Sequence, residues 1–300
     1  MGCLYACLLS DKNEVLLLDI DKNTVDTINQ NGIFMKEKDS DTEKNYKIKA
    51  QISGEAVGIF DLLIVFVKDT ATRAALECNK HLISADTTLL SLQNGLGNFE
   101  IVQEFADKSQ ILLGTTKHNC VTLAPGKIYH SGSGVTHIGS PAGTVNTAEK
   151  IVAAFADSNI EAEKCDNVKH LLWEKLFINM TINSVTALLN AHINIISEDK
   201  HARRVVAKLL SEAVAVALKD GVKFDYDTVY NDVINTATTL GTGKASMCQD
   251  IENKRKTEID FINGAVVRLG EKYEIETPYH AMITELIHAK EDLNKINKKE

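Results

Sequence analysis

A change of hydrophobic rhythm near residues 165–167 constrains this 300-residue chain more than any single motif does. Before it, short apolar and β-branched runs at residues 15–19, 61–67, 87–92 and 111–115 alternate with helical stretches at 23–30, 70–80 and 99–106. Short, continuously apolar strands separated by helices are buried on both faces, which calls for a mostly parallel, doubly wound α/β sheet of Rossmann-like type. In the same half, residues 118–130 and 134–139 read as antiparallel strands about a Pro125-Gly126 turn. After residue 167 only helical periodicity remains, over 168–190, 202–220, 226–239, 247–273 and 278–290. Two domains are therefore expected, an α/β domain over 1–165 and an all-α domain over 166–300, with no low-complexity linker to tether them.

The totals exclude several classes. A net charge of −8, with no basic block before the Lys-rich end, argues against a nucleic-acid partner. No run approaches the roughly 20 apolar residues needed to span a bilayer, so no membrane partner is expected and the protein reads as cytoplasmic. The six cysteines have no C-x-x-C spacing, which suits reduced thiols better than disulfides or a metal site. Assembly as a monomer or a homodimer stays open.

Several groups of residues can carry chemistry. Lys175, Asn179 and Asn183 recur every four positions on a stretch otherwise filled by Leu171, Leu172, Trp173, Leu176, Phe177 and Ile178. Such a helix is buried, and an unpaired amide or ammonium there costs roughly 2–7 kcal/mol. The stripe must therefore face a cleft or other polar groups. Ser246 with Gln249 fits a capping box at a helix start. Glu258 falls where the same predicted helix turns apolar, as a candidate acid or acceptor or as a plain salt-bridged carboxylate. Glu252 with Lys256 and Asp250 with Lys254 read as i,i+4 surface pairs. Asn94 lies in Q-N-G-L-G at 93–97, directly after a predicted strand, and Lys68 ends another. Ligands of open α/β sheets bind beyond the carboxyl ends of strands, so both are favourably placed, although a mere turn would look the same. Asp19 also ends a strand, where dinucleotide folds use an acid to bond the adenine ribose. G-T-G-K-A-S at 241–246 is not a P-loop, because no strand precedes it and Ala245 stands at the Ser/Thr position.

Taken in order, M-G-x-L-Y at 1–5, V-K at 67–68, Q-N-G-L-G at 93–97, G-T-T at 114–116, G-V-T-H-I-G at 134–139, W-E-K-L-x-x-N-x-x-x-N at 173–183, S-M-x-Q-D at 246–250 and T-E-I-D-F-I-N-G at 257–264 resemble the 2-dehydropantoate 2-reductase (ketopantoate reductase) family over nearly the whole chain. The resemblance implies a dinucleotide-binding domain over 1–165, a helical substrate and catalytic domain over 166–300, and reduction of 2-dehydropantoate to pantoate on the way to pantothenate and coenzyme A. It implies Lys175 as the general acid that protonates the ketone oxygen. Glu258 would hold the substrate hydroxyl and neighbour the cofactor, and Asn179, Asn183 and Ser246 would hold substrate oxygens. Asn94, Lys68 and the backbone near Cys120 would line the cofactor and the reacting carbon. NADP(H) is the family's default cofactor.

Three departures qualify this expectation. The opening reads as a helix feeding a strand, with Met1 and Gly2 standing where the family has the last glycine of G-x-G-x-x-G, so a first strand and two glycines are expected to be missing and dinucleotide affinity to be weak. D-I-D-K at 19–22 replaces the arginine that often holds a 2′-phosphate, which leans toward NAD(H). N-I-I-S at 194–197 replaces a turn that often flanks the substrate. Two rival readings follow: a D-2-hydroxyacid dehydrogenase using NADH on other branched or aromatic 2-keto acids, and an inactive dinucleotide-fold remnant with a binding role.

Overall fold

The computed structural model describes residues 1–38 and 40–296. The chain forms two compact units, residues 1–93 with 98–168, and residues 94–97 with the chain from Lys169 onward. The first unit runs α1 (Gly2–Leu9), β1 (Leu16–Asp19), α2 (Lys22–Asn31), β2 (Ile33–Glu37), β3 (Glu43–Tyr46), β4 (Lys49–Ile52), β5 (Leu62–Val65), α3 (Thr72–Asn79), β6 (Thr88–Ser91), α4 (Asn98–Val102), β7 (Ile111–Thr116), β8 (Asn119–Ala124), β9 (Lys127–Gly132), β10 (Thr136–Gly139), α5 (Val145–Asp157) and β11 (Ala162–Lys164).

Strands β5, β6 and β7 are parallel, as their apolar sequences require, and β6 is buried along its whole length. Strand β10 joins β7 antiparallel and β11 completes the order β11-β10-β7-β6-β5. Strands β1 and β4 pair in parallel as a separate sheet, and β3-β2-β9-β8 form a third, with the expected hairpin at β8–β9. Strands β2, β3 and β4 were not foreseen because I-F-M-K-E, E-K-N-Y and K-A-Q-I are short and rich in polar residues. Helix α1 is apolar all round because it serves two cores. Leu4 and Cys7 pack with Leu17, Ile28 and Met35, while Tyr5 and Leu9 pack with Leu90, Leu112 and Phe155.

The second unit is helical: α6 (Val168–Ile178), a π-helical turn (Asn179–Asn183), α7 (Ser184–Leu189), α8 (Ile195–Glu198), α9 (Lys200–Lys219), α10 (Tyr226–Leu240), α11 (Ser246–Glu252), α12 (Asn263–Tyr273) and α13 (Pro278–Ile296). Trp173, Phe177, Leu209, Val233 and Ile287 centre its core. The single helix expected over 247–273 is instead broken. Lys254 takes a left-handed φ of 55°, which an α-helix does not tolerate, and a 3-10 turn at Ile259–Phe261 intervenes before α12. Asp220 staples the unit: it accepts hydrogen bonds from Trp173 Nε1 at 3.0 Å and Tyr273 Oη at 2.7 Å and pairs with Lys169 at 2.8 Å. No described helix is long and apolar enough to cross a membrane, and no cluster of metal-ligating side chains occurs among the described residues.

Candidate active site

The stripe predicted on one helix passes through the π turn. Lys175, half-buried, lies in the last turn of α6, and Asn179 and Asn183 open and close the wide turn. Residues four apart in an α-helix drift by about 40° around the axis. The wider π turn carries more residues per revolution and swings Asn183 back toward the line set by Lys175 and Asn179. Side chains support the irregular backbone. The Met180 carbonyl accepts from the Ser184 hydroxyl and from Asn263 Nδ2 at 3.0 Å, and Thr181 and Thr186 bond the carbonyls of Phe177 and Ile182. Asn263 Nδ2 also lies 3.2 Å from His280 Nδ1, whose Nε2 lies 2.9 Å from the Leu209 carbonyl, so the neutral ring donates through Nε2 and accepts at Nδ1. Burial lowers the His280 pKa to about 4, against a small opposing effect of the Leu209 carbonyl.

Asn183 Nδ2 reaches Asn179 Oδ1 at 3.4 Å and Ser246 Oγ at 3.3 Å. Asn179 Nδ2 is buried and has no hydrogen-bond partner among the described residues. Buried amide donors in folded proteins are nearly all hydrogen-bonded, so this group is chemically able to donate to a ligand acceptor. Ser246 is not a cap: Ala245 holds that position without a side-chain bond, and Gln249 Nε2 bonds the Lys244 carbonyl. Where the helix stops at Glu252, Glu252 pairs with Lys244 and Asp250 with Arg255.

Glu258 therefore sits on a turn and not within a helix, immediately before the 3-10 segment. Asn94 Nδ2 donates to Glu258 Oε2 at 3.3 Å, and Leu96 N donates to the Phe261 carbonyl at 2.9 Å. Gly95 makes the approach feasible: its φ is +77°, and a Cβ there would lie 2.3 Å from the Phe261 oxygen. The Q-N-G-L-G turn is thus moulded to the Glu258 turn.

In the first unit, the amino end of α1 gathers Met1, Gly2, Asp19 and Cys120. Burial raises the Cys3 and Cys120 thiols, and the Met1 ammonium pulls both back. Asp19 lies close enough to Cys3 to raise it further. No side chain caps α1, and a Cβ at Gly2 would meet Phe66 Cβ at an ordinary 3.9 Å. A helix amino end fits a phosphate, and the Asp19 carboxylate fits a ribose. Asp19 Oδ1 accepts from Asp21 N at 2.9 Å, while Asp21 caps α2 through Asn23 N and Thr24 N. Lys68, half-buried, follows β5 and begins a 3-10 turn.

Sequence reasoning missed two polar networks in this unit. Gln93 Nε2 bonds the Val67 carbonyl and Thr72 Oγ1, both at 2.7 Å, and Asn98 Nδ2 reaches Asp69 Oδ1 at 3.0 Å, tying together the ends of β5 and β6. Glu37 bonds His130 Nδ1 at 2.7 Å, and His130 Nε2 lies 3.0 Å from His118 Nδ1. The two histidines are 12 residues apart, which gave no spacing signal.

Residues 1–143 match the family described as ketopantoate reductase PanE/ApbA, and residues 167–291 match its C-terminal part. The chain belongs to the ketopantoate reductase family. It is 32% identical to the 2-dehydropantoate 2-reductase of Streptococcus pyogenes serotype M1 over 97% of this chain and 95% of that one. It is 31% identical to the Lactococcus lactis subsp. lactis enzyme of the same name, over 98% and 96%. Among solved structures it resembles D-mandelate dehydrogenase with NADH and anilino(oxo)acetate, with a TM-score of 0.94, 31% identity and coverage of 98% and 96%. It also resembles 2-dehydropantoate 2-reductase from Geobacter metallireducens, with a TM-score of 0.88, 27% identity and 95% coverage of each chain. Viewed as a ketopantoate reductase family member, the chain brings Asn179, Asn183 and Ser246 into one hydrogen-bonded group beside Lys175, and Asn94 and Glu258 into another, within the helical unit.

Proposed function

We propose that this chain reduces a small 2-keto acid, 2-dehydropantoate to pantoate, using a reduced nicotinamide dinucleotide. The observation that carries the reading is the buried, unpartnered Asn179 Nδ2 on the π turn, one helical turn beyond Lys175 and linked through Asn183 to Ser246. Three neutral polar groups converge there, with an ammonium one turn away, which suits a hydroxy-keto carboxylate. The amino end of α1 with Gly2 would hold the pyrophosphate, Asp19 the adenine ribose, and Lys68, Asn94 and the Cys120 backbone the remainder of the cofactor. When bound, the reduced nicotinamide supplies the hydride. Negative charge then develops on the ketone oxygen, and Lys175 stabilises it and delivers the proton. Asn179, Asn183 and Ser246 orient the substrate oxygens, and Glu258, held by Asn94, accepts from the substrate hydroxyl.

A second reading keeps the mechanism and changes the substrate. The likeness to an NADH-bound D-mandelate dehydrogenase, together with carboxylates at Asp19 and Asp21, supports NADH and an aromatic or branched 2-keto acid. Initial rates with 2-dehydropantoate, 2-ketoisovalerate and phenylglyoxylate under NADPH and NADH separate the two. The first reading expects the highest kcat/KM for 2-dehydropantoate; a preference of tenfold or more for phenylglyoxylate with NADH would replace it.

A further inference from the structure

Behind the Glu258 turn lies a group of ionisable side chains that the proposed mechanism does not use. His288 on α13 places Nε2 at 2.8 Å from Asp260 Oδ1 and Nδ1 at 3.2 Å from Glu291 Oε2. Glu291, 8% exposed, uses its other oxygen to accept from Thr257 N at 2.7 Å and Thr257 Oγ1 at 2.6 Å. Carboxylates only accept, so both contacts of the ring are hydrogen bonds only when both of its nitrogens carry protons. The grip falls on either side of Glu258, directly on Asp260 and through Glu291 on Thr257.

We propose that His288 is a positioning residue: as an imidazolium bridging Asp260 and Glu291, it fixes the turn that presents Glu258. The proposal rests on the assignment of Glu258 to the site. When the ring loses a proton, one nitrogen turns a lone pair toward a carboxylate, and the buried Glu291 or Asp260 loses a donor. Burial works against the charged ring, but hydrogen bonds and charge from Asp260 and Glu291 outweigh it and raise its pKa above the ordinary histidine value. The other groups near the clamp do not substitute for it. Lys256 Nζ stands 3.9 Å from Asp260 Oδ2 and is largely solvent-exposed, Arg268 bonds the Asp260 carbonyl, and Lys290 bonds the Ala187 and Leu188 carbonyls. The clamp is complete at pH values below the raised pKa and is released as pH climbs through it.

Steady-state kinetics of His288→Gln and His288→Lys from pH 6 to 9, with NMR titration of the His288 ring and exchange protection of the Thr257 amide, test this. His288→Gln should lower kcat/KM by about tenfold at pH 6.5, the scale of one charge-assisted hydrogen bond, mostly through KM. His288→Lys should recover most of that loss and carry the plateau to higher pH. The ring should titrate above its ordinary value, and Thr257 protection should fall as it does so. A folded His288→Gln with unchanged kinetics and Thr257 protection, or a ring already neutral at pH 6, overturns the proposal. If the unaltered protein turns over no 2-keto acid, it is the functional reading that fails, and ring titration with Thr257 protection alone decides the clamp.

Discussion

At the residue scale the proposed function rests most heavily on Asn179. Leaving its buried amide nitrogen without a partner costs about 1–3 kcal/mol, a cost that a ligand acceptor removes. Replacing it by Leu removes that open donor but also the weak acceptor for Asn183, so the melting temperature should change little while KM for the keto acid rises at least about tenfold, the worth of one hydrogen bond to a charged group. A parallel thermal melt and substrate titration checks both halves. Lys175, Asn179 and Asn183 stood out in the sequence because polar groups on an otherwise apolar helix have few places to go. Ser246 was misread as a cap, since a serine ahead of a helix looks the same whether its hydroxyl bonds its own backbone or an asparagine 63 positions away.

At the scale of elements, the π turn and the broken helix at 253–262 separate expectation from structure. Periodicity over 168–190 gave a continuous helix because the groups that hold the wide turn open come from far along the chain. Asn263 donates to Met180 from 83 residues away, and His280 backs Asn263 from α13. Asn263→Leu removes the donor and leaves the buried Met180 carbonyl and His280 Nδ1 each one bond short. It should cost about 2–4 kcal/mol in urea unfolding and reduce kcat/KM more than a surface substitution of equal destabilisation would. Glu258 was placed in a helix because M-C-Q-D-I-E continues smoothly into F-I-N-G, while the left-handed Lys254 that stops the helix carries no sequence signal of its own.

For the whole molecule, the two-part architecture was legible in the shift from strand-and-helix alternation to helices alone. The polar strands β2 to β4 and the partition into three sheets were not, because pairing between distant short segments leaves no local periodicity. Stability should depend on pH in a definite direction. The folded His280 titrates at about 4 against 6.5 unfolded, so the unfolded chain binds the extra proton between those values. Stability therefore falls by up to about 3 kcal/mol as pH drops through that window. Burial tends to raise the Asp220 pKa, but its bonds from Lys169, Trp173 and Tyr273 outweigh this and hold it below the usual carboxylate value. Its contribution is present above pH 3.8 and lost as pH falls through the lowered value. Urea unfolding of the unaltered protein and of His280→Asn at pH 7, 5.5 and 4.5 should show a shallower acid slope in the variant.

In the proposed reaction Lys175, at the head of the stripe, protonates the ketone oxygen as the cofactor's hydride arrives. The most direct test follows oxidation of the reduced nicotinamide by 2-dehydropantoate in the unaltered chain and in Lys175→Ala, with circular dichroism to confirm equal folding. The turnover number of the variant should be lower by at least about 100-fold, the scale of losing a general acid. Equal turnover numbers in two equally folded proteins would remove Lys175 from the reaction.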